Sequence, residues 1–70
     1  MNLKQGKNGE TYVIDHIEIK NSELSAFLFS LGCYSGEKIT VVRQLRNGCI
    51  VNIKDGKYHI DTPLAEAIAV

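Results

Sequence analysis

Two histidines and two cysteines are the side chains in this sequence best suited to bind a transition metal. They are His16, Cys33, Cys49 and His59. Imidazole and thiolate groups are ligands for Zn(II) and also for Fe(II). Their spacing matches no closed zinc site, and no Cys-x-x-Cys pair is present. We therefore predict no resident cofactor and no preformed metal centre. Two alternatives stay open: these four residues as ligands, or weak Fe(II) or Zn(II) binding by a surface histidine and a carboxylate.

The sequence contains no set of residues typical of an enzyme. No His/Cys or Ser/His/Asp group has supporting local signals, and Gly6-x-x-Gly9 lacks the spacing and the Lys-Ser/Thr pair of a phosphate-binding loop. A chain of 70 residues also leaves little volume for a site that excludes water. We predict that the protein is not an enzyme.

Two aromatic residues are better candidates, for contact with a protein partner. Phe29 lies more than about 90° from the centre of the apolar stripe on a predicted helix, and Tyr34 follows in a glycine-flanked loop. Exposed aromatic side chains often supply most of the energy of an interface. We predict that both rings are exposed, close together and in contact with a partner. The alternative is that Phe29 packs on the N-terminal segment and Tyr34 only covers the helix end.

The predicted helix runs from Ser22 to Leu31. Its apolar residues recur at helical spacing and are expected to face the core: Leu24, Phe27, Leu28 and Leu31. Asn21 and Ser22 are both suitable N-caps. Gly32 stands where a helix commonly ends in a left-handed residue, and Cys33 should then fold back towards Leu28.

The rest of the chain favours short strands. Residues 10–19 are interpreted as one long bent strand with a bulge or a change of facing, and further strands are expected over 39–45, 49–54 and 57–61. Asp55-Gly56 predicts a two-residue hairpin loop that pairs Ile53 with Tyr58. Turns are expected at four glycines: Gly32, Gly36, Gly48 and Gly56.

The hairpin at Asn47-Gly48 allows two registers. A two-residue loop would turn Gln44 into the core, whereas a three-residue loop over residues 46–48 places Val41 opposite Ile53 and leaves only Arg43 on the wrong face. We therefore predict the three-residue loop.

The end of the chain predicts a one-turn helix and a final strand. Thr62 is the expected N-cap, with Pro63 at the first helical position and the turn ending at Glu66. A last strand over residues 67–70 would leave a free edge, through which the chain could self-associate.

Composition indicates one small domain, residues 1–70, whose partner is not nucleic acid. Eight Lys and Arg balance eight Asp and Glu, and phosphate contacts need a surplus of basic residues. No apolar run approaches the ~20 residues of a membrane span, and no secretory signal is recognisable, so we expect a cytoplasmic protein without membrane insertion. Five short strands and one helix predict a mostly β fold with a strongly bent sheet.

Two segments resemble a known family. Residues 28–41, with the Leu31-Gly32-x-x-x-Gly36 loop, are similar to the helix, loop and strand of the ferrous-iron transport protein A (FeoA) family. The ending, with Ala67-Ile68-x-Val70, resembles that family's closing pattern. The resemblance covers about residues 9–70. The chain departs from the pattern in a shorter N-terminal lead-in, in Ser35 where Pro is common, and in a short loop after Leu45.

The resemblance implies a small SH3-like five-stranded barrel, with one α-helix inserted after the first strand and a one-turn helix before the last. It also implies a non-enzymatic cytosolic accessory of ferrous-iron uptake. Such a protein would dock on the cytosolic GTP-binding portion of the membrane ferrous-iron permease, and so be held at the inner face of the membrane. The alternative is a small transition-metal-binding or peptide-binding SH3-like module with a regulatory role.

Overall fold

The computed structural model describes all residues 1–70 and is mostly β, as predicted. A 3₁₀ helix (Leu3–Gln5) comes first. The other elements in chain order are β1 (Thr11–Val13), β2 (His16–Ile17), α1 (Ser22–Ser30), β3 (Lys38–Leu45), β4 (Gly48–Ile53), β5 (Gly56–Asp61), α2 (Thr62–Ala67) and β6 (Ile68–Ala69). The order β1-β3-β4-β5 forms one antiparallel sheet, and β2 pairs with β6 in a second. No strand pairing joins the two sheets into a closed barrel.

The predicted long first strand is two strands in different sheets. The break falls at two consecutive residues that bond to different neighbours: the Ile14 N–H donates to Glu37 O at 2.8 Å, and the Asp15 N–H donates to Ala69 O at 2.8 Å. Ile14 is buried in the core. The change of facing expected from the adjacent Val13 and Ile14 is therefore present, but it divides the strand, and the five expected strands become six.

The β3–β4 register differs from both registers considered from the sequence. The loop is Arg46-Asn47, with Leu45 opposite Gly48, and a β-bulge between Val41 and Arg43 places Val41 opposite Val51. The three-residue loop was therefore wrong. The bulge inserts one extra residue into β3 and so keeps Val41 on the inward face. With the two-residue loop alone, Val41 would point outward. Gly48 adopts φ +155°, and a Cβ there would collide with the Ile60 carbonyl oxygen.

Gln44 does face inward, which the predicted register had avoided. Its Nε2 donates to Leu3 O at 2.8 Å and to Gly6 O at 2.9 Å. These bonds satisfy the amide nitrogen of this partly buried side chain, whose Oε1 has no partner, and they attach the N-terminal 3₁₀ helix to β3. Arg43, expected on the wrong face, is exposed because the bulge turns it outward.

The β4–β5 hairpin turns one position earlier than predicted. Its loop is Lys54-Asp55, with Ile53 opposite Gly56 and Val51 opposite Tyr58. Lys54, and not Gly56, has the positive φ (+52°). The pairing differs from the prediction by two residues, so the expected inward and outward faces are retained.

The core contains twelve buried apolar residues drawn from most of the elements. They are Leu3, Ile14, Leu28, Cys33, Ile39, Val41, Cys49, Val51, Ile53, Ile60, Ala65 and Ile68. Tyr12, Ile17, Ile19, Leu31, Tyr58, Leu64 and Val70 pack against it. The full burial of Leu3 was not predicted, because one apolar residue in a turn-rich segment shows no periodicity.

Helix α1 has the predicted ends but not the predicted packing. The Asn21 side chain accepts from the Glu23 and Leu24 N–H groups, and the Cys33 N–H returns to Leu28 O at 2.9 Å in a Schellman motif. Leu28 is the only buried residue of the helix. Leu24 and Phe27 are 39% and 52% exposed. The expectation that the whole stripe lies in the core was wrong, because Leu28 is the one residue of α1 buried against the two sheets, which together are called the β body.

The last strand, β6, has a backbone neighbour on each side, and a short helix precedes it. Asp61, and not Thr62, is the N-cap of α2: its side chain accepts from the Leu64 N–H, and the helix continues to Ala67. Beyond it, Ala69 pairs with His16 on one side and forms a bridge with Asn2 on the other. The expected free edge of the last strand is therefore occupied. Neither helix has the length and apolar character that crossing a membrane requires.

Candidate functional site

The Phe29 and Tyr34 rings lie against each other on the surface beside the C-terminal end of α1. Their centroids are 4.8 Å apart with the planes inclined by 30°. Phe29 is 65% exposed, and Tyr34 is half-buried. The Schellman turn at residues 32–33 reverses the chain, and this reversal brings the following loop back over the helix. The two residues predicted to contact a partner are thus adjacent, and Phe29 does not pack into the interior.

Lys54, from the β4–β5 loop, is the third side chain at this stack. Its Nζ lies 5.8 Å from the Tyr34 ring centroid and 2.6 Å from Glu37 Oε1. The Lys54 ammonium, with help from the nearby Tyr34 hydroxyl, lowers the pKa of Glu37. Hydrogen bonding to Glu37 in turn raises the pKa of Lys54. The Tyr34 ring is therefore held by a ring on one side and a paired cation nearby.

Gly32 allows this arrangement. It has φ +91°, and a Cβ at this position would lie 2.6 Å from Lys54 Cε. The aliphatic part of Lys54 consequently lies directly on the backbone at the helix end. The predicted turn residue has a second role that the sequence did not indicate: it makes room for the lysine that reaches Tyr34 and Glu37. Gly36, at the other end of the same loop, has φ +89°.

A groove runs along the flank of α1 that carries Phe29. It has a volume of about 560 Å³ and is lined by Ile19, Lys20, Ser22, Ser25, Ala26 and Phe29. The lining combines an apolar wall with one ammonium group and two hydroxyl groups. Sequence reasoning missed this groove, because Ile19 is interpreted as the end of a strand and Lys20 has no assigned role. The only signal was the presence of Ser22, Ser25 and Ala26 on the face of the helix opposite the apolar stripe.

The second exposed phenylalanine of α1 lies on the other flank. At about 100° per residue, Phe27 and Phe29 point about 200° apart around the helix axis. Phe27 lies on the side of Leu24, away from the groove and from Tyr34. It had been predicted as a core residue and is 52% exposed. The helix therefore presents two separate apolar flanks on either side of the buried Leu28.

The four possible metal ligands do not form a common site. Cys33 and Cys49 are buried in the core, whereas His16 and His59 are exposed on β2 and β5. Burial raises the pKa of the Cys33 thiol to about 11 and also raises the pKa of Cys49. No group of three or more His, Cys, Asp and Glu side chains is placed to hold a metal ion.

His16 is instead held between two carboxylates. Its Nδ1 lies 2.8 Å from Asp15 Oδ2, and its Nε2 lies 2.8 Å from Glu18 Oε1. Only the protonated ring can donate from both nitrogens. The hydrogen bonds to Glu18 and, second, to Asp15 raise the pKa of His16. The carboxylates lie on opposite sides of the ring and so do not converge with a ring nitrogen on one cation.

Comparison with solved structures shows the fold. An iron uptake regulatory protein (FeoA) has a TM-score of 0.84 and 20% identity, over 97% of this chain and 91% of that one. FeoA from Chlorobium tepidum has a TM-score of 0.87 and 22% identity, over 99% and 67%. Stenotrophomonas maltophilia FeoA, a prokaryotic SH3 domain protein solved in complex with zinc, has a TM-score of 0.86 and 17% identity, over 100% and 88%. The predicted SH3-like fold is confirmed.

Comparison with sequences gives the family. No curated protein matches significantly. The sequence profile of the FeoA domain, in contrast, matches residues 1–70. The helix, the glycine-bounded loop and the closing segment that suggested the resemblance all lie inside this match. The chain belongs to the FeoA domain family, which is linked to ferrous-iron transport.

Proposed function

We propose that this protein is a non-enzymatic accessory of ferrous-iron uptake that docks on the cytosolic GTP-binding portion of the ferrous-iron permease. It would act at the inner face of the membrane through that partner. Membership of the FeoA family supports the link to iron transport. The S. maltophilia relative has itself been suggested to act as a ferrous iron transport activating factor.

The observation that carries the proposal is the exposed Phe29–Tyr34 stack. A phenylalanine that is 65% exposed on the isolated chain offers apolar area that a partner can bury. The two rings are already packed against each other, and Lys54 and Glu37 hold Tyr34 in place. The two rings therefore lose little conformational entropy when a partner binds, and this favours their use as anchors of an interface.

Docking is compatible with two mechanisms. The protein could bias the conformation of the GTP-binding domain, which requires different affinities for its nucleotide states. It could instead stabilise the assembled permease without any dependence on nucleotide. Both mechanisms use the same surface, so the dependence of affinity on nucleotide distinguishes them.

The test is a calorimetric titration of the isolated GTP-binding domain without nucleotide, with GDP and with a non-hydrolysable GTP analogue. We expect Phe29→Ser to weaken binding at least about tenfold, which corresponds to about 1.4 kcal/mol. Phe27→Ser is the matched control, because it removes the same side chain from the same helix on the other flank. Equal affinity in all three nucleotide conditions excludes the conformational mechanism.

Three results would contradict the proposal. One is that the wild-type protein does not bind the domain in any nucleotide state. The second is that Phe29→Ser binds as tightly as the wild type. The third is that both phenylalanine variants weaken binding equally, which would move the contact away from the stack. Permease-dependent iron uptake in cells expressing each variant should follow the same order as the affinities.

A further inference from the structure

The groove beside α1 contains polar groups that bond to no other group of the protein. The Lys20 ammonium takes part in none of the three ion pairs of the structure and in none of its side-chain hydrogen bonds. The Ser22 and Ser25 hydroxyls likewise have no partner, whereas the nearby Ser30 hydroxyl is bonded to Phe27 O at 2.6 Å. One cation and two hydroxyl donors therefore line the same groove without protein partners.

The opposite wall of the groove is apolar. Ile19, Ala26 and the exposed Phe29 ring supply it, and no acidic side chain belongs to the lining. A volume of about 560 Å³ is within the range of about 300–1,000 Å³ typical of clefts that bind small ligands. The chemistry complementary to this lining is a carboxylate next to a large apolar group, because a carboxylate accepts from an ammonium and from hydroxyls.

We propose that this groove binds an acidic–apolar segment of the docking partner. Its carboxylate would be held by Lys20 and the two serine hydroxyls, and a neighbouring aliphatic or aromatic side chain would lie against Ile19, Ala26 and Phe29. The inference rests on the proposed function and extends it, since it states what the partner must present. Phe29 belongs to both the aromatic stack and the groove wall, so one partner surface would cover both.

A lipid surface fits the groove less well. Membrane-surface helices carry Lys and Arg on their polar face, and α1 contains one acidic residue and no basic residue. The formal charge of the chain is zero, so no general attraction to anionic lipid assists Lys20. A second copy of the chain is the other competitor, because Glu23 and the partly exposed Leu24 are adjacent on α1. Both competitors are outcomes of the experiments below.

The first experiment measures binding of the permease GTP-binding domain at low and high NaCl. Lys20→Glu reverses the charge in the groove, and Lys57→Glu makes the same change on β5 as a matched control. We expect Lys20→Glu to weaken binding about tenfold or more at low salt, with a smaller loss at high salt because ions screen the repulsion. Lys57→Glu should change affinity less than about twofold.

The second experiment does not use the permease. Amide NMR spectra are recorded while acetyl-Glu-Leu-Leu-amide is added, with acetyl-Lys-Leu-Leu-amide as the control peptide. The acidic peptide should shift the signals of Ser22, Ser25 and Phe29 at lower concentration than the basic peptide does. Lys20→Glu should remove that preference, and Lys57→Glu should retain it.

The outcomes separate this inference from the proposed function. If Phe29→Ser abolishes docking while Lys20→Glu and Lys57→Glu behave alike, docking stands and the acidic-segment inference is wrong. If the wild type binds no permease domain and the two peptides act equally, both are wrong. Sedimentation showing self-association that Lys20→Glu abolishes would assign the groove to a second copy. Binding to vesicles of phosphatidylserine that shifts the same residues would assign it to a membrane, and either result overturns the proposal.

Discussion

The β body and helix α1 use their apolar residues in opposite ways. On β3 and β4, the inward residues are almost completely buried: Ile39, Val41, Cys49, Val51 and Ile53 are each no more than 1% exposed. The nine-residue helix is equally rich in apolar side chains but buries only Leu28. The strands therefore supply the stability of the domain. The helix buries one residue against that body, and its two flanks remain available for contacts.

The largest expected effect is in the β body. Ile39→Ala removes buried methyl and methylene groups and should cost about 2–5 kcal/mol of unfolding free energy. A domain of this size has only about 3–5 kcal/mol in total, so this variant should be largely unfolded at room temperature. Ile39→Val should cost about 0.5–1.5 kcal/mol and remain measurable by urea unfolding followed by circular dichroism. An Ile39→Val variant as stable as wild type would contradict the central role of the sheet.

The next effect concerns the single buried residue of the helix. Leu28→Ala should cost at least about 2 kcal/mol, since it leaves a cavity where α1 meets the core. Hydrogen exchange should show that the amides of residues 22–30 lose protection before those of β3 and β4. Leu24→Ala is the matched control and should cost less than about 1 kcal/mol, because Leu24 is 39% exposed. Equal losses for the two leucines would mean that the whole stripe is buried.

A smaller effect is expected at the start of the helix. Asn21→Ala removes the acceptor for the Glu23 and Leu24 N–H groups and should cost about 1 kcal/mol. Ser22→Ala is the control, and it should change stability by less than about 0.5 kcal/mol. Urea unfolding of both variants measures the difference. A larger loss of stability for Ser22→Ala than for Asn21→Ala would mean that Ser22, and not Asn21, is the N-cap.

The two exposed phenylalanines should affect stability less than Leu28 does. Phe27→Ser should stay within about 0.5 kcal/mol of the wild type. Phe29→Ser loses the contact with Tyr34 and should cost about 0.5–1.5 kcal/mol. A loss of about 2–4 kcal/mol at Phe29 would instead place this ring in the core and remove it from the proposed interface.

The smallest effect is a pH dependence at the edge of the β body. The carboxylates raise the pKa of His16 above its usual 6.5 in the folded protein. The stabilisation by His16 is therefore complete below about pH 6.5 and is lost as the pH rises through the raised pKa. NMR titration of the His16 ring should show this pKa, and Glu18→Gln should lower it more than Asp15→Asn does. A larger decrease of the His16 pKa for Asp15→Asn would mean that Asp15, and not Glu18, makes the stronger contact.

Much of the β body could be predicted from the sequence, because alternation determines which face each strand residue takes. Val41 and Ile53 are correctly predicted to face inward, although both hairpin registers were wrong. A register error of two residues does not change the face, and the β-bulge at Val42 compensated for the shorter loop. A bulge has no local sequence signature in this chain, and the choice against an inward Gln44 rested on polarity alone. The acceptors Leu3 O and Gly6 O lie far away in sequence.

For the helix, the two ends could be predicted from the sequence, but the buried face could not. The cap, narrowed to Asn21 or Ser22, and the left-handed Gly32 are predictable because they depend on neighbouring residues only. The stripe residues Leu24 and Phe27 were wrongly placed in the core. Spacing shows that a helix has an apolar face, but it does not show whether the rest of the fold is wide enough to cover it. The adjacency of Phe29 and Tyr34 was predicted, whereas the contribution of Lys54 depends on a hairpin loop 20 positions later.

The stacked arrangement of Phe29 and Tyr34 also makes the surface spectroscopically visible. Each ring lies in the magnetic shielding field of the other at 4.8 Å, so their proton resonances should be displaced from the usual aromatic positions. Any partner that separates or covers the rings would change those resonances without an added label. Because the chain has no tryptophan, indole fluorescence in a mixture reports only on the other component. The surface and its binding partner can thus be observed separately in the same unlabelled sample.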